Sequence, residues 1–104
     1  MKNIPCWLYI SICHALEGEI YPAIRAIAVK YTRTRELFIR YYFDREVTED
    51  DIDRINTIMT YIESYIPPRE DVRYIDYECI YAKDKLSDLD VLDHMIYARR
   101  EDDC

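Results

Sequence analysis

Between Ala23 and Phe43 apolar residues recur at every second position on two arms, separated by the polar break Thr32-Arg33-Thr34-Arg35. A period of two belongs to strands with one buried face, so the pattern admits few folds. On the first arm Ile27, Val29 and Tyr31 share one face and Ala26, Ala28 and Lys30 the other. On the second, Leu37, Ile39, Tyr41 and Phe43 oppose Phe38, Arg40 and Tyr42. The two arms predict a hairpin. Slipping the register by one residue would turn every side chain over, so only some pairings keep the apolar sets together. A loop of Arg33 to Arg35 pairs Thr32 with Glu36, Val29 with Ile39 and Ile27 with Tyr41, which does so. Such three-residue loops favour a residue at positive φ, and none of the three is Gly or Asn.

The remaining elements follow from changes of period. Ile4 to Leu16 is apolar almost all round, with Pro5 suited to a first helical turn and Gly18 to a stop, and reads as a buried helix. Thr48-Glu49-Asp50-Asp51 has the form of an N-cap with a carboxylate three residues on. From there Ile52, Ile55, Met59, Ile62 and Ile66 recur at three and four, with Ile58 and Tyr65 widening the stripe, until Pro67-Pro68 ends the helix. Val72 to Tyr81 alternates again, with Ile75, Tyr77, Cys79 and Tyr81 against Tyr74, Asp76, Glu78 and Ile80. Lys83 to Asp93 reads as a half-anchored loop or short helical turn, and Met95 to Arg99 as a last strand. The expectation is one α+β domain over residues 1–104: N-terminal helix, hairpin, long amphipathic helix and two further strands, forming an antiparallel four-stranded sheet with the long helix across one face.

Charge narrows the function. Residues 1–43 hold six Lys/Arg against three Asp/Glu, and residues 44–104 eight against eighteen, so a formal charge of −7 divides into +3 and −10. An acidic field repels phosphate, which disfavours direct nucleic-acid or anionic-membrane binding and favours a basic partner. The apolar run from Ile4 to Cys13 is shorter than the roughly 20 residues that span a bilayer. The following His14-Ala15-Leu16-Glu17 lacks a small-x-small cleavage site, and both points predict a cytoplasmic protein. Cys6, Cys13, Cys79 and Cys104 form no paired spacing, which predicts four free thiols.

The chain offers little for catalysis. Cys13 and His14 are neighbours about 100° apart on a helix and cannot pair with each other. Cys6, Cys13 and His14 lack zinc-site spacing, and a single Gly excludes a glycine-rich phosphate loop. No cofactor or metal is expected. A small enzyme would have to assemble its site from Asp76, Glu78 and a histidine. Tyrosine is more informative, because eleven of them put broad rings with hydroxyls on few rotatable bonds. Tyr42 and Tyr74 fall on the sheet face opposite the long helix with Arg40, Asp76 and Glu78, and the next loop adds Asp84, Asp88 and Asp90. These eight residues form the expected partner-binding patch; the start of the long helix, Glu49, Asp50 and Asp53, is the rival acidic surface.

The runs Gly18 to Val29, Leu37 to Asp44 and Glu46 to Asp51 resemble bacterial immunity proteins, in particular those of contact-dependent growth inhibition systems. The resemblance spans about residues 18–66 and implies an antitoxin that shields the active site of one cognate toxin domain, often an RNase. It leaves open a larger complex with a host protein, and it carries over no contact residue. The other class considered is an acidic adaptor or regulatory subunit for a different basic protein.

Overall fold

The computed structural model describes residues 4–66 and 72–100. Helix α1 spans Cys6–Leu16, strands β1 and β2 span Ile24–Tyr31 and Glu36–Phe43, and helix α2 spans Glu49–Tyr65. Strand β3 covers Tyr74–Tyr81, a single 3-10 turn covers Leu86–Asp88, and β4 covers His94–Ala98. The four strands form one sheet in the order β3-β2-β1-β4. Both the α+β class and the order of elements match the sequence expectation.

The hairpin has the expected register. Ile27 lies opposite Tyr41 and Val29 opposite Ile39, and the Thr32 amide donates to Glu36 O at 3.0 Å. Arg35 takes the left-handed conformation that the loop demands, at φ 67°, at a cost of about 1–2 kcal/mol for a residue with a Cβ. Hydroxyls help to hold the turn: Thr34 Oγ1 donates to Glu36 Oε2 at 2.6 Å, and the Glu36 amide donates to Thr32 Oγ1 at 3.1 Å. Gly18, at φ 75°, turns the chain out of α1.

One pairing differs from expectation. β3 runs parallel to β2, from Glu36 opposite Tyr74 to Phe43 opposite Tyr81, so the sheet is mixed and not wholly antiparallel. The cause lies in α2. A helix that carries the chain back along the sheet reverses its direction on entry and again on exit, so the strand after it runs the same way as the strand before it. β4 pairs antiparallel with β1 at the other edge.

Both helices pack on the same sheet face. Leu8, Ile12, Ala15 and Leu16 of α1 and Ile55, Ile58, Met59 and Ile62 of α2 share one core with Ile24, Ile27, Val29, Leu37, Ile39, Tyr41 and Phe43. Ile52 and Tyr65, expected in the buried stripe, are 37% and 51% exposed. At 100° per residue Ile52 lies about 60° to one side of Ile55 and Tyr65 about 80° to the other, so both flank the contact while Ile58 and Asp51 fall within it. The expected Pro67-Pro68 stop lies outside the described residues; Ile66 caps the helix and its amide donates to Ile62 O.

The opposite face carries a second, smaller core. Ala26 and Ala28 leave a shallow trough, and the segment after β3 folds back into it. Leu89 is buried there with Tyr42, and Ile80, Leu86, Leu92 and Met95 pack around them. Arg25, itself buried, fixes the start of that segment by donating from Nη1 to Ala82 O and Asp84 O, both at 2.8 Å. The sheet face away from the helices is therefore half covered.

Candidate functional site

Side chains on the second sheet face form rows across β1, β2 and β3. The strand registers set Lys30, Phe38 and Asp76 in one row, Ala28, Arg40 and Glu78 in the next, and Ala26, Tyr42 and Ile80 in a third. Glu36 and Tyr74 lie beyond the first row, at the hairpin end. The apolar third row draws the returning leucines onto itself, and the charged, aromatic end stays in solvent: Tyr74 is 57% exposed and Asp76 is exposed.

Arg40 marks the boundary. Its Nε donates to Glu78 Oε1 at 2.5 Å, its Nη1 lies 3.7 Å from Asp90 Oδ2, and Nη1 also donates to Tyr42 Oη at 3.2 Å. One guanidinium thus joins a carboxylate on β3 to one on the returning segment and leaves the trio with a net negative charge. Asp90 is further shaped by its own turn, where Oδ1 accepts from the Leu92 amide at 2.9 Å. Asp88 is exposed on the 3-10 turn beside it. Neither Asp76 nor Asp88 makes an ion pair among the described residues.

The eight expected site residues therefore separate into three groups. Arg40, Tyr74, Asp76, Glu78, Asp88 and Asp90 are brought to one side of the molecule. Tyr42 is not available to a partner: it is 4% exposed, and its hydroxyl donates to Asp90 O at 2.7 Å, pinning the segment to the sheet. Alternation assigns a face but not what covers it. Asp84 lies past the far end of β3, where its carbonyl meets Arg25. At about 3.3 Å per residue, the eight steps from Tyr74 to Ala82 place that end about 26 Å from Tyr74.

The rival surface at the start of α2 is built on a buried carboxylate. Asp51 is 1% exposed and closes a capping box with Thr48. It accepts from Arg45 Nη1 at 2.5 Å and Nη2 at 3.0 Å, from the Thr48 amide at 2.9 Å and from Tyr21 Oη at 2.7 Å. The Arg45 guanidinium, with the Thr48 and Tyr21 donors, holds its carboxyl well below the usual carboxylate range. Burial and the Asp51 carboxylate push the Tyr21 phenol up. Sequence reading assigned Asp51 to the cap and missed Arg45 and Tyr21; an Arg six residues before a capping carboxylate was the available signal. Glu49 and Asp53 remain exposed, and Asp50 pairs with Arg54 at 3.0 Å.

The residues from which an enzyme site would have to be assembled do not meet. His94 and Asp76 lie on opposite edge strands, three strand spacings or about 14 Å apart. His14 is on α1, stacked against Tyr65 at 5.7 Å. Among the described residues no group of three His, Cys, Asp or Glu could hold a metal ion, and no helix is long and apolar enough to cross a membrane. Cys6, Cys13 and Cys79 are free thiols, and Cys104 lies outside the described residues. Burial pushes the Cys79 thiol up to about 11.

Fold and site together define a small α+β protein with an acidic, aromatic half-face on a mixed sheet. The chain belongs to the MafI2 immunity protein family, whose model matches residues 5–101. No curated protein matches it. Membership assigns an immunity function and implies a cognate toxin as partner. The match extends well beyond residues 18–66, where the sequence resemblance was read, and includes α1, β3 and β4.

Proposed function

We propose that this immunity protein neutralises a basic toxin domain with nuclease activity, an RNase first among the candidates, by laying the half-face of Tyr74, Asp76, Glu78, Asp88 and Asp90 over its phosphate-binding cleft. The observation that carries the reading is the pairing of exposed Tyr74 and Asp76 with the net-negative Glu78–Arg40–Asp90 trio on one side of the sheet. A nuclease cleft must attract phosphate, so it is basic, and carboxylates placed over it compete with the nucleic acid for the same cations. No reaction is needed for this. Tyr74 supplies apolar area with a hydroxyl at the centre of such a contact, as aromatic anchors do in other interfaces. Arg40 keeps Glu78 and Asp90 oriented, which lowers the entropy lost when they meet a partner's cations. Cytoplasmic location, and a toxin delivered by contact from a neighbouring cell, belong to the same reading.

The test is co-expression with the toxin domain encoded beside this chain. Asp76→Lys with Asp88→Lys leaves the fold intact, since both residues are exposed and outside the ion pairs, and is expected to abolish growth rescue and co-purification. The same pair of reversals leaving rescue intact while Glu49→Lys with Asp53→Lys abolishes it would move the interface to the start of α2. A toxin domain that is not basic and degrades no nucleic acid would overturn the masking mechanism.

A further inference from the structure

We infer that this protein forms a two-fold homodimer through the outer face of α1 and the adjoining edge strand β4. The 11 residues of α1 and the 5 of β4 contain no Asp, Glu, Lys or Arg, in a chain of which 34% is charged. Tyr9 and Ile10 on that face are 40% and 49% exposed, and Cys6 beside them is exposed. A solvent-facing helix surface normally carries charge, and apolar area left in water marks a place where something docks.

Charge selects the occupant. Two copies of a chain with net charge −7 repel each other across most of their surface, and this neutral face is where they can meet without that cost. A basic partner gains nothing electrostatic here and is drawn to the acidic sheet face instead. The relief also suits self-association. Hollows of about 280 Å³, lined by Ile4, Cys6, Tyr9 and His94, and about 320 Å³, lined by Cys13, Leu16, Gly18, Ile20, Ile96 and Tyr97 with Glu17 as the one charged group, border the face along α1 and β4. A two-fold axis sets the exposed Ile10 of one copy toward the hollows of the other, which is the self-complementarity that an isologous interface requires. Among the described residues β4 pairs only with β1, so its other edge can meet its own copy in the antiparallel sense that a two-fold axis imposes. It also lacks the charged side chains with which natural edge strands block such pairing.

Sedimentation equilibrium of the purified chain alone, from low to high micromolar concentration, tests this without any toxin. The expected mass is twice the 12.6 kDa of one chain. Ile10→Asp and, independently, Tyr9→Ser are expected to raise the dimer dissociation constant at least tenfold with an unchanged far-ultraviolet spectrum. Ile52→Asp, at a 37% exposed apolar site on α2, is expected to leave the dimer intact. A wild-type monomer throughout the range, or a dimer that survives both Ile10→Asp and Tyr9→Ser, overturns the inference. So does a monomer whose toxin binding Ile10→Asp abolishes, because the face then belongs to the toxin.

Discussion

Replacing Asp51 by Ala removes the acceptor at the centre of the hydrogen-bonded cluster that starts α2. The carboxylate is 1% exposed and takes hydrogen bonds from Arg45, Thr48 and Tyr21. The Thr48 amide loses its acceptor, about 1 kcal/mol for one hydrogen bond, and hydrogen bonds to a charged group contribute about 1.5–3 kcal/mol. Arg45 is half exposed and turns to water, so the loss stays below the roughly 3–5 kcal/mol seen when one partner of a fully buried pair is removed. The expected cost is about 3 kcal/mol, which lowers the melting temperature of a domain of this size by roughly 15 °C. Acid provides an independent check. The carboxyl titrates lower when folded than when unfolded, so its stabilisation is complete above the unfolded value of about 3.9 and is lost as pH falls from there toward the folded value. The stability difference between wild type and Asp51→Ala is therefore expected to be constant from about pH 5 to 7 and to shrink below pH 4. Urea denaturation followed by circular dichroism at both ends of that range measures it. A cost below about 1 kcal/mol at pH 7, or a difference that does not narrow in acid, would refute the reasoning.

Ile55→Ala and Ile39→Ala, each truncating a fully buried side chain between α2 and the sheet, are expected to cost about 2–5 kcal/mol by chemical denaturation, against near-neutrality for Ile52→Ala on the flank. Leu89→Asp is expected to detach the segment after β3 from Ala26, Ala28 and Tyr42, read as faster amide exchange over residues 82–93 while β1 and β2 stay protected. Cys79, half-buried and with its thiol pushed up to about 11, is expected to react with iodoacetamide more slowly at pH 8 in the native protein than exposed Cys6; equal rates would contradict its placement.

Periodicity made most of the fold legible in the sequence. Alternation on both arms determined the hairpin register to the residue, because a slip would have exposed Ile27, Val29, Ile39 and Tyr41 together. Thr48 and Asp51 marked the start of α2 for an equally local reason, since a capping box is made within one turn. The direction of β3 was not legible, because alternation is the same in parallel and antiparallel strands; it depends on how α2 returns the chain. The half-covered sheet face was missed on similar grounds. Leu86, Leu89 and Leu92 were seen as apolar residues in a loop, but only the third dimension shows Ala26 and Ala28 leaving them room. For the candidate site, the residue types and the face were readable for Tyr74, Asp76 and Glu78, while Arg40's bridge to Asp90 and the burial of Tyr42 depend on that same loop.

The central claim is that acidic residues on the sheet face draw this immunity protein onto a basic toxin. The association rate of the purified pair, measured by stopped flow as a function of ionic strength, tests it most directly. Wild type is expected to associate fast at low salt and to slow steeply as the Debye length falls from about 30 Å at 0.01 M to about 3 Å at 1 M. Asp76→Lys with Asp88→Lys is expected to associate at least tenfold more slowly at low salt and to converge on wild type at high salt. Association that is independent of salt, or identical for wild type and the double reversal at low salt, would contradict the account.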